Sequence, residues 1–198
     1  MISIIYNLTY KEPPIDQKEA LRYAGVRGDD AQSAELLSEC YRSLLPRLGY
    51  RVCYREIDAS EPICSRMLAA SEGLRAHLAG ASRLIIFAAT VGIEPDRAVA
   101  RAAVGSPRTA LMYQAIGAER IEALCDSFFF DMKKKYADSG ASLTRRFSPG
   151  YGDLSLEWQR DIFALLDCER QIGVSLGERL LMAPTKSVTA IIGIKDAR

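Results

Sequence analysis

The stretch RRFSPGYGD, residues 145–153, combines side chains that can bind a small charged molecule. An arginine such as Arg146 can hold a carboxylate through two parallel hydrogen bonds, and it keeps its charge at any working pH. Pro149 and Gly150 predict a tight turn whose backbone can approach a ligand closely. Tyr151 adds a flat face that can lie against a cation or a planar ring. These residue types suit a small zwitterion with an aromatic or cationic part.

The same loop also fits a purely structural interpretation. In that case Arg146 is a surface arginine, and the turn at Pro149 and Gly150 packs Tyr151 into the core. The pattern after residue 153 predicts a helix that follows the turn.

Composition and charge narrow the possible classes of protein. The chain has 198 residues, 48% of them hydrophobic, which is enough for one substantial core, so we predict a single domain over residues 1–198. With 26 basic and 25 acidic residues, the net charge of +1 gives no reason to expect nucleic acid as a partner. No apolar run approaches a membrane span, and the N-terminus does not resemble a signal peptide. We therefore expect a cytoplasmic protein with no membrane partner.

The five cysteines are scattered and never form C-x-x-C, so we interpret them as buried free thiols. The single histidine, His77, has no second histidine or carboxylate at metal-ligand spacing. We assign it no site and expect a solvated side chain. No metal site is predicted.

Hydrophobic periodicity predicts a mixture of strands and helices. The predicted strands are ISIIYNLTY, RVCYREI, RLIIFAAT and KSVTAIIGI. The predicted helices cover residues 15–25 (capped by Asp16), 30–49, 61–80, 95–104, 107–135 and 155–167, the last capped by Asp153 or Ser155. Since helices come in pairs between strands, we predict an α+β fold with a mixed or antiparallel sheet.

Three short motifs suggest enzymes but lack their required context. GVSLG at 173–177 matches the nucleophile elbow of hydrolases, yet no histidine follows it. TKS at 185–187 lacks the glycines of a P-loop, and GYG at 150–152 lacks the third glycine of a dinucleotide fingerprint.

The order of several longer motifs resembles the activation domain of cobalamin-dependent methionine synthase. RFSPGY (146–151) resembles the R-x-x-x-G-Y motif of that family, and IGVSLGERLLMAPTKSVTAIIG (172–193) resembles its following segment. Upstream, FAATVGIEPDRAVARAA and YQAIGAERIEALCDSFFFDMKKK resemble further family segments. The resemblance is convincing from about residue 84 and weak before residue 60. Gly152 stands where the family has proline, and Gly177-Glu178-Arg179 replaces Thr-Glu-Ser.

The resemblance implies a binding site for S-adenosylmethionine. Arg146 would hold the carboxylate of the ligand, and Tyr151 would lie near the sulfonium and the corrin face. Glu122 would accept hydrogen bonds from either the amino group or a ribose hydroxyl. Asp16 is the candidate for an N-terminal acidic contact.

Further residues are implied by the same alignment of motifs. The backbone of the ligand site would include Gly150, Ala183 and Pro184. The surface facing cobalamin would include Tyr151, Thr185, Lys186 and Ser187. We expect one concave surface built from residues 149–152 and 182–188, with Glu122 and Arg146 at its base.

The family resemblance implies a function that depends on a partner. We expect a subunit that acts in trans on a cobalamin-binding methionine synthase or another corrinoid protein, and that supports remethylation of cob(II)alamin with an electron from a flavodoxin-type donor. Cobalamin would be bound by the partner. The alternative is a docking or regulatory partner of a corrinoid protein that does not bind S-adenosylmethionine.

Overall fold

A computed structural model describes residues 4–28 and 30–197 as an antiparallel sheet surrounded by helices. The strands are β1 (Tyr6–Tyr10), β2 (Tyr50–Asp58), β3 (Arg83–Thr90), β4 (Ser142–Leu143), β5 (Ser175–Leu176), β6 (Met182–Ala183) and β7 (Ser187–Lys195). The main sheet has the order β1-β2-β3-β7-β4, and every neighbouring pair is antiparallel. A separate two-stranded ribbon joins β5 and β6. The α+β prediction is confirmed.

The helices lie on both faces of this sheet. They are α1 (Gln17–Tyr23), α2 (Ala31–Leu44), α3 (Pro62–Ala70), α4 (Glu72–His77), α5 (Glu94–Ala103), α6 (Pro107–Ala137), α7 (Trp158–Leu166) and α8 (Cys168–Ile172). A short 3₁₀ turn, Leu45–Arg47, follows α2 and contains Pro46, which cannot continue an α-helix.

The central strand β3 is buried on both faces, which explains its almost continuous apolar sequence. Ile85, Phe87 and Ala89 belong to a cluster that includes α6, while Leu84, Ile86 and Ala88 belong to one that includes α3, α4 and α7. Alternate side chains of a strand point to opposite faces, so a two-sided core demands apolar residues at every position. The predicted strand at residues 83–90 is confirmed.

Helix α6 presents to the sheet the apolar stripe that its sequence predicts. The buried members of the stripe are Ile121, Leu124, Cys125, Phe128 and Met132. Their spacing of three and four residues places them on one side of the helix. Phe128 packs against Phe87 of β3 with ring centroids 4.7 Å apart.

The prediction of a single helix over residues 61–80 is wrong, because the helix is interrupted at Ser71. Ser71 has extended backbone angles (φ −138°, ψ 116°), so α3 ends before it and α4 begins after it. Its hydroxyl accepts a hydrogen bond from the Leu74 amide, 2.9 Å away. Serine is a strong N-cap because its side chain replaces a missing backbone acceptor, and this local bond competes with helix continuation.

The predicted cap of the helix at residues 155–167 is also corrected. The helix begins at Trp158, and the carboxylate of Asp153 points to α4 instead. It accepts hydrogen bonds from the amides of Glu72 and Gly73 at 2.7 and 3.2 Å. Ser155 accepts from the Glu157 amide within the turn that precedes α7. A helix cap that comes from a distant segment cannot be predicted from the local sequence.

A buried ion pair fixes α6 against the segment that precedes α1. The side chain of Arg120 is fully buried and pairs with Glu119. Its guanidinium also donates to the carbonyls of Pro13 and Pro14, both at 2.7 Å. Glu119 in turn accepts from the hydroxyl of Tyr41 at 2.8 Å. Every charged group in this network is therefore hydrogen-bonded, as burial requires.

We predict that Arg120→Ala lowers the free energy of unfolding by about 3–5 kcal/mol, because it leaves the Glu119 carboxylate buried without its charge partner. Urea unfolding would measure the change. Arg170→Ala is the matched control, since Arg170 pairs with Asp167 at the surface and is 83% exposed; we expect about 0–1 kcal/mol there. Equal losses in the two variants would contradict the structural role of Arg120.

Candidate functional site

Arg146 lies against two carboxylates of helix α6. Its Nη2 atom is 3.0 Å from Oε2 of Glu122 and 2.9 Å from Oδ1 of Asp126. The two acidic residues are four positions apart, so they stand one above the other on one face of the helix. The Arg146 side chain keeps 24% of its surface exposed, so it can still meet a ligand.

The loop after Arg146 is anchored to the sheet and then turns sharply outward. The amide of Phe147 donates to the carbonyl of Ile191 at 2.9 Å, and the Ile191 amide returns a bond of 2.8 Å. Gly150 has a φ of +87°, which a residue with a side chain rarely adopts. Tyr151 follows and is 72% exposed. The structural interpretation that buried Tyr151 in the core is therefore wrong.

Two cavities meet at Glu122. The first, which we call the Arg146 cavity, has a volume of about 270 Å³ and is lined by Glu122, Arg146, Ser148, Tyr151 and Val188. The second, which we call the acidic cavity, has a volume of about 640 Å³. It lies between α1 and α6, and its lining includes Asp16, Glu19, Tyr23, Glu119, Glu122, Asp126 and Phe130. Together they form a site that offers one guanidinium, several carboxylates and aromatic faces.

The sequence matches a known family over the region that contains this site. The family model for the activation domain of vitamin B12 dependent methionine synthase matches residues 76–197. The chain belongs to this family. Both anchors of the Arg146 cavity, Glu122 and Arg146, lie within the matched region.

A solved structure supports the same fold beyond the matched region. A crystal structure of the MetH reactivation domain bound to AdoHcy superposes with a TM-score of 0.67 at 14% identity. The alignment covers 98% of this chain and 79% of that chain. The similarity of fold therefore extends to the described residues before residue 60, where sequence resemblance is weak. Comparison with curated proteins returns no match.

The activation-domain fold brings together most of the residues that sequence motifs suggest. Glu122, Arg146 and Tyr151 line one cavity, although Arg146 lies 24 residues after Glu122. Gly150 forms the turn beside Tyr151, and Asp16 lines the adjoining acidic cavity. Their roles in binding stay a prediction, but their proximity is a feature of the structure.

The segment at 182–188 is placed differently from the expectation. Of the described residues in this segment, only Val188 lines either cavity. Ala183 and Thr185 are exposed, and the Thr185 amide donates to Asp96 of α5 at 2.9 Å. Pro184 is buried, and its carbonyl accepts from the Ser187 hydroxyl at 2.8 Å. The concave surface thus forms around the Arg146 loop and the start of β7, with residues 183–185 outside its lining.

Lys186 and Ser187, expected on the surface facing cobalamin, are buried in this fold, so their side chains are not exposed to a partner. The Ser187 hydroxyl, which donates to the Pro184 carbonyl, lies 2.9 Å from the Thr90 hydroxyl and can accept a hydrogen bond from it. The aliphatic part of Lys186 lies on Gly117 of α6, where an added Cβ would come within 2.9 Å of Lys186 Cγ. Burial lowers the pKa of the Lys186 ammonium, and the nearby carboxylate of Asp96 only partly opposes this shift.

Asp126 and Ser148 line the two cavities but were not predicted from the sequence. For Asp126 a signal was present, because it follows Glu122 by one helical turn. Ser148 lies inside the R-x-x-x-G-Y motif, at a position that the motif leaves unspecified. Val188 belongs to the predicted segment 182–188 and lines the Arg146 cavity.

The described residues also bear on the expectations for thiols, metal ligands and membrane-spanning helices. All five cysteines are free and buried, and burial raises the pKa of Cys125 to about 12. Over residues 4–28 and 30–197, no three His, Cys, Asp or Glu side chains are grouped as metal ligands. In the same ranges no helix combines the length and apolarity needed to cross a membrane.

We predict that Lys186→Met stabilises the domain at neutral pH, because it removes the cost of burying a protonated amine. Below the lowered pKa the gain should be constant, and it should shrink as the pH rises towards the ordinary lysine pKa of 10.5, since the native lysine then loses its proton. Urea unfolding of both proteins over a pH series would measure the difference. A gain that grows with pH would contradict this account.

Proposed function

We propose that the chain binds S-adenosylmethionine at the Arg146 and acidic cavities and thereby supports remethylation of cob(II)alamin in a cobalamin-dependent methionine synthase. We propose further that it acts in trans on a cobalamin-binding partner that receives its electron from a flavodoxin-type donor. Family membership supports the reaction, and the AdoHcy bound to the structurally similar reactivation domain supports the ligand class.

The observation that carries the proposal is a half-buried guanidinium flanked by carboxylates beside an exposed aromatic ring. Both ion pairs of Arg146 use Nη2, and a guanidinium has five N–H donors. Donors outside these two ion pairs can therefore hold the carboxylate of an amino acid. Glu122 and Asp126 stand beside them, and negative charges there suit the positive part of the same ligand.

The acidic cavity extends the site on the other side of Glu122. Its volume of about 640 Å³ accommodates the larger, nucleoside part of the ligand. Carboxylates such as Asp16 and Glu122 can accept hydrogen bonds from ribose hydroxyls or from the amino group, and Tyr23 and Phe130 offer aromatic surface for a purine. Asp16 then becomes the N-terminal acidic contact that the family resemblance implies.

The chain contributes positioning to the reaction. S-adenosylmethionine supplies an activated methyl group, and the cobalamin of the partner supplies the acceptor. Arg146 would fix one end of the ligand, and Glu122 would fix its polar hydrogens. Tyr151 and the exposed residues Ala183 and Thr185 would form the surface that approaches the corrin. Such orientation lowers the barrier because the reacting groups meet in one geometry.

The second candidate is a docking or regulatory partner without S-adenosylmethionine binding. One observation favours it: Arg146 already has two carboxylate partners within the chain. Equilibrium binding separates the candidates, because the docking partner would show no heat of binding with S-adenosylmethionine while still associating with the corrinoid protein.

We predict that Arg146→Ala weakens S-adenosylmethionine binding by about 1.5–3 kcal/mol, the scale of a hydrogen bond to a charged group. Arg146→Lys should recover part of the loss, since lysine keeps the charge but not the planar fork. Isothermal titration calorimetry would measure both. Arg170→Ala is the control, because Arg170 is 83% exposed, pairs with Asp167 and lies outside the linings of the Arg146 and acidic cavities. Unchanged affinity in a folded Arg146→Ala protein would remove this residue from the site.

We predict that Tyr151→Ala slows remethylation of cob(II)alamin about 10- to 100-fold, because the exposed ring helps align the ligand with the partner. Unfolding stability should change by less than about 0.5 kcal/mol, as is usual for an exposed side chain. The assay would add a cobalamin-binding fragment of methionine synthase and a reductant. Tyr6→Ala removes a partly exposed ring from edge strand β1, where it stacks on Tyr54, and should leave the rate unchanged. Equal effects of the two changes would contradict a local role for Tyr151.

A further inference from the structure

Helix α4 is attached to both ends of the loop that carries Arg146 and Tyr151. At the start of the helix, the Asp153 carboxylate accepts hydrogen bonds from the Ser71 hydroxyl and from the amides of Glu72 and Gly73. These bonds hold the pKa of Asp153 below its ordinary value, with the Ser71 hydroxyl as the largest cause. The end of the loop is therefore tied to the first turn of α4 by an ionised carboxylate.

At the other end of the helix, His77 contacts the beginning of the loop. Its Nε2 atom lies 2.7 Å from the carbonyl oxygen of Arg145. Its ring packs against Phe147 with centroids 5.3 Å apart, and Phe147 meets the edge of Tyr151 at 6.5 Å. The only histidine of the sequence thus touches both neighbours of Arg146.

Gly73 allows the close approach of Asp153. A Cβ atom built at residue 73 would lie 2.8 Å from Oδ1 of Asp153, closer than such contacts occur. The backbone of Gly73 does not need a positive φ, because it lies inside a regular helix. Glycine at this position therefore leaves room for the Asp153 carboxylate, although glycine is a weaker helix former than alanine.

We propose that α4 is a positioning element for ligand binding: by holding residues 145 and 153, it fixes the loop between them and so sets the directions of Arg146 and Tyr151. This inference rests on the proposed binding of S-adenosylmethionine at that loop. None of the α4 residues lines the Arg146 cavity, among those described, so their effect passes through the loop.

The physical reason is preorganisation. A loop without regular structure pays conformational entropy when a ligand orders it, and each flexible side chain adds to that cost. Between the attachments, the loop has a bridge to β7 at Phe147 and a bond from the Gly150 amide to the Leu154 carbonyl at 2.8 Å. Because α4 holds the loop, the conformational entropy of ordering it is lost during folding and not during ligand binding.

The test uses the whole chain with S-adenosylmethionine as the probe. Asp153→Ala and His77→Ala each release one end of the loop. We expect faster amide hydrogen exchange at residues 147–154 in the free protein, and a loss of affinity of about 10-fold by calorimetry, since two side chains must then be ordered on binding. Asp153→Asn keeps one acceptor oxygen and should recover part of both effects.

A second variant leaves Asp153 in place and displaces it. Gly73→Ala should push the carboxylate away from the first turn of α4, with faster loop exchange and weaker binding, although alanine favours a helix more than glycine does. Asp30→Ala is the matched control, because Asp30 caps α2 in the same way through the amides of Gln32 and Ser33. It should lower stability and leave loop exchange and affinity unchanged.

The outcomes separate the two levels of the argument. Faster loop exchange with unchanged affinity, or unchanged loop exchange in Asp153→Ala, would overturn the positioning role of α4. An equal loss of affinity in Asp30→Ala would show a general effect of stability and would also overturn it. If the unmodified protein gives no heat of binding, the proposed function fails, whereas the exchange measurements still decide whether α4 holds the loop.

Discussion

The guanidinium of Arg120 is the group on which the arrangement of the helices depends. A fully buried charge must find its hydrogen bonds inside the protein, and Arg120 finds them on Glu119 and on the carbonyls of Pro13 and Pro14. Because Glu119 also accepts from the Asp16 amide at 3.0 Å, the start of α1 is fixed against α6. The acidic cavity lies between these two helices, so its walls follow from this one network.

Burial gives two similar ion pairs on α6 different consequences. Glu119 and Arg120 are buried away from water and hydrogen-bonded to each other, so breaking this pair to bind a ligand would be costly. Their role is therefore structural. Glu122 and Asp126, about one turn further on, pair with Arg146 where water reaches them. An ion pair in that setting contributes little to stability and can rearrange around a ligand. The same residue types therefore build the frame at one turn and the candidate site at the next.

The sequence predicts the elements of this fold better than their connections. The apolar run of β3 and the stripe from Ile121 to Met132 are local patterns, and each is decided by which side meets the core. The direction of Asp153 depends on a bond between residues 82 positions apart, which no local pattern records. Burial of Lys186 likewise depends on Gly117 of another element. At the site, short motifs indicated Arg146 and Tyr151, and Val188 lies in the segment 182–188 that the motifs also indicated.

The two kinds of support around Arg146 answer different needs. The sheet fixes where the loop starts, since Phe147 pairs with Ile191 of β7, and a strand position tolerates little movement. Beyond that point the chain must turn outward to expose Tyr151, and a positive φ at Gly150 lets it do so. The turn is held by hydrogen bonds within it, such as that from the Gly150 amide to the Leu154 carbonyl, and by polar bonds at its ends. Asp153 and the carbonyl of Arg145 provide those bonds, and both lead to one six-residue helix. A loop held in this way stays open to a ligand and a partner while its side chains keep their directions.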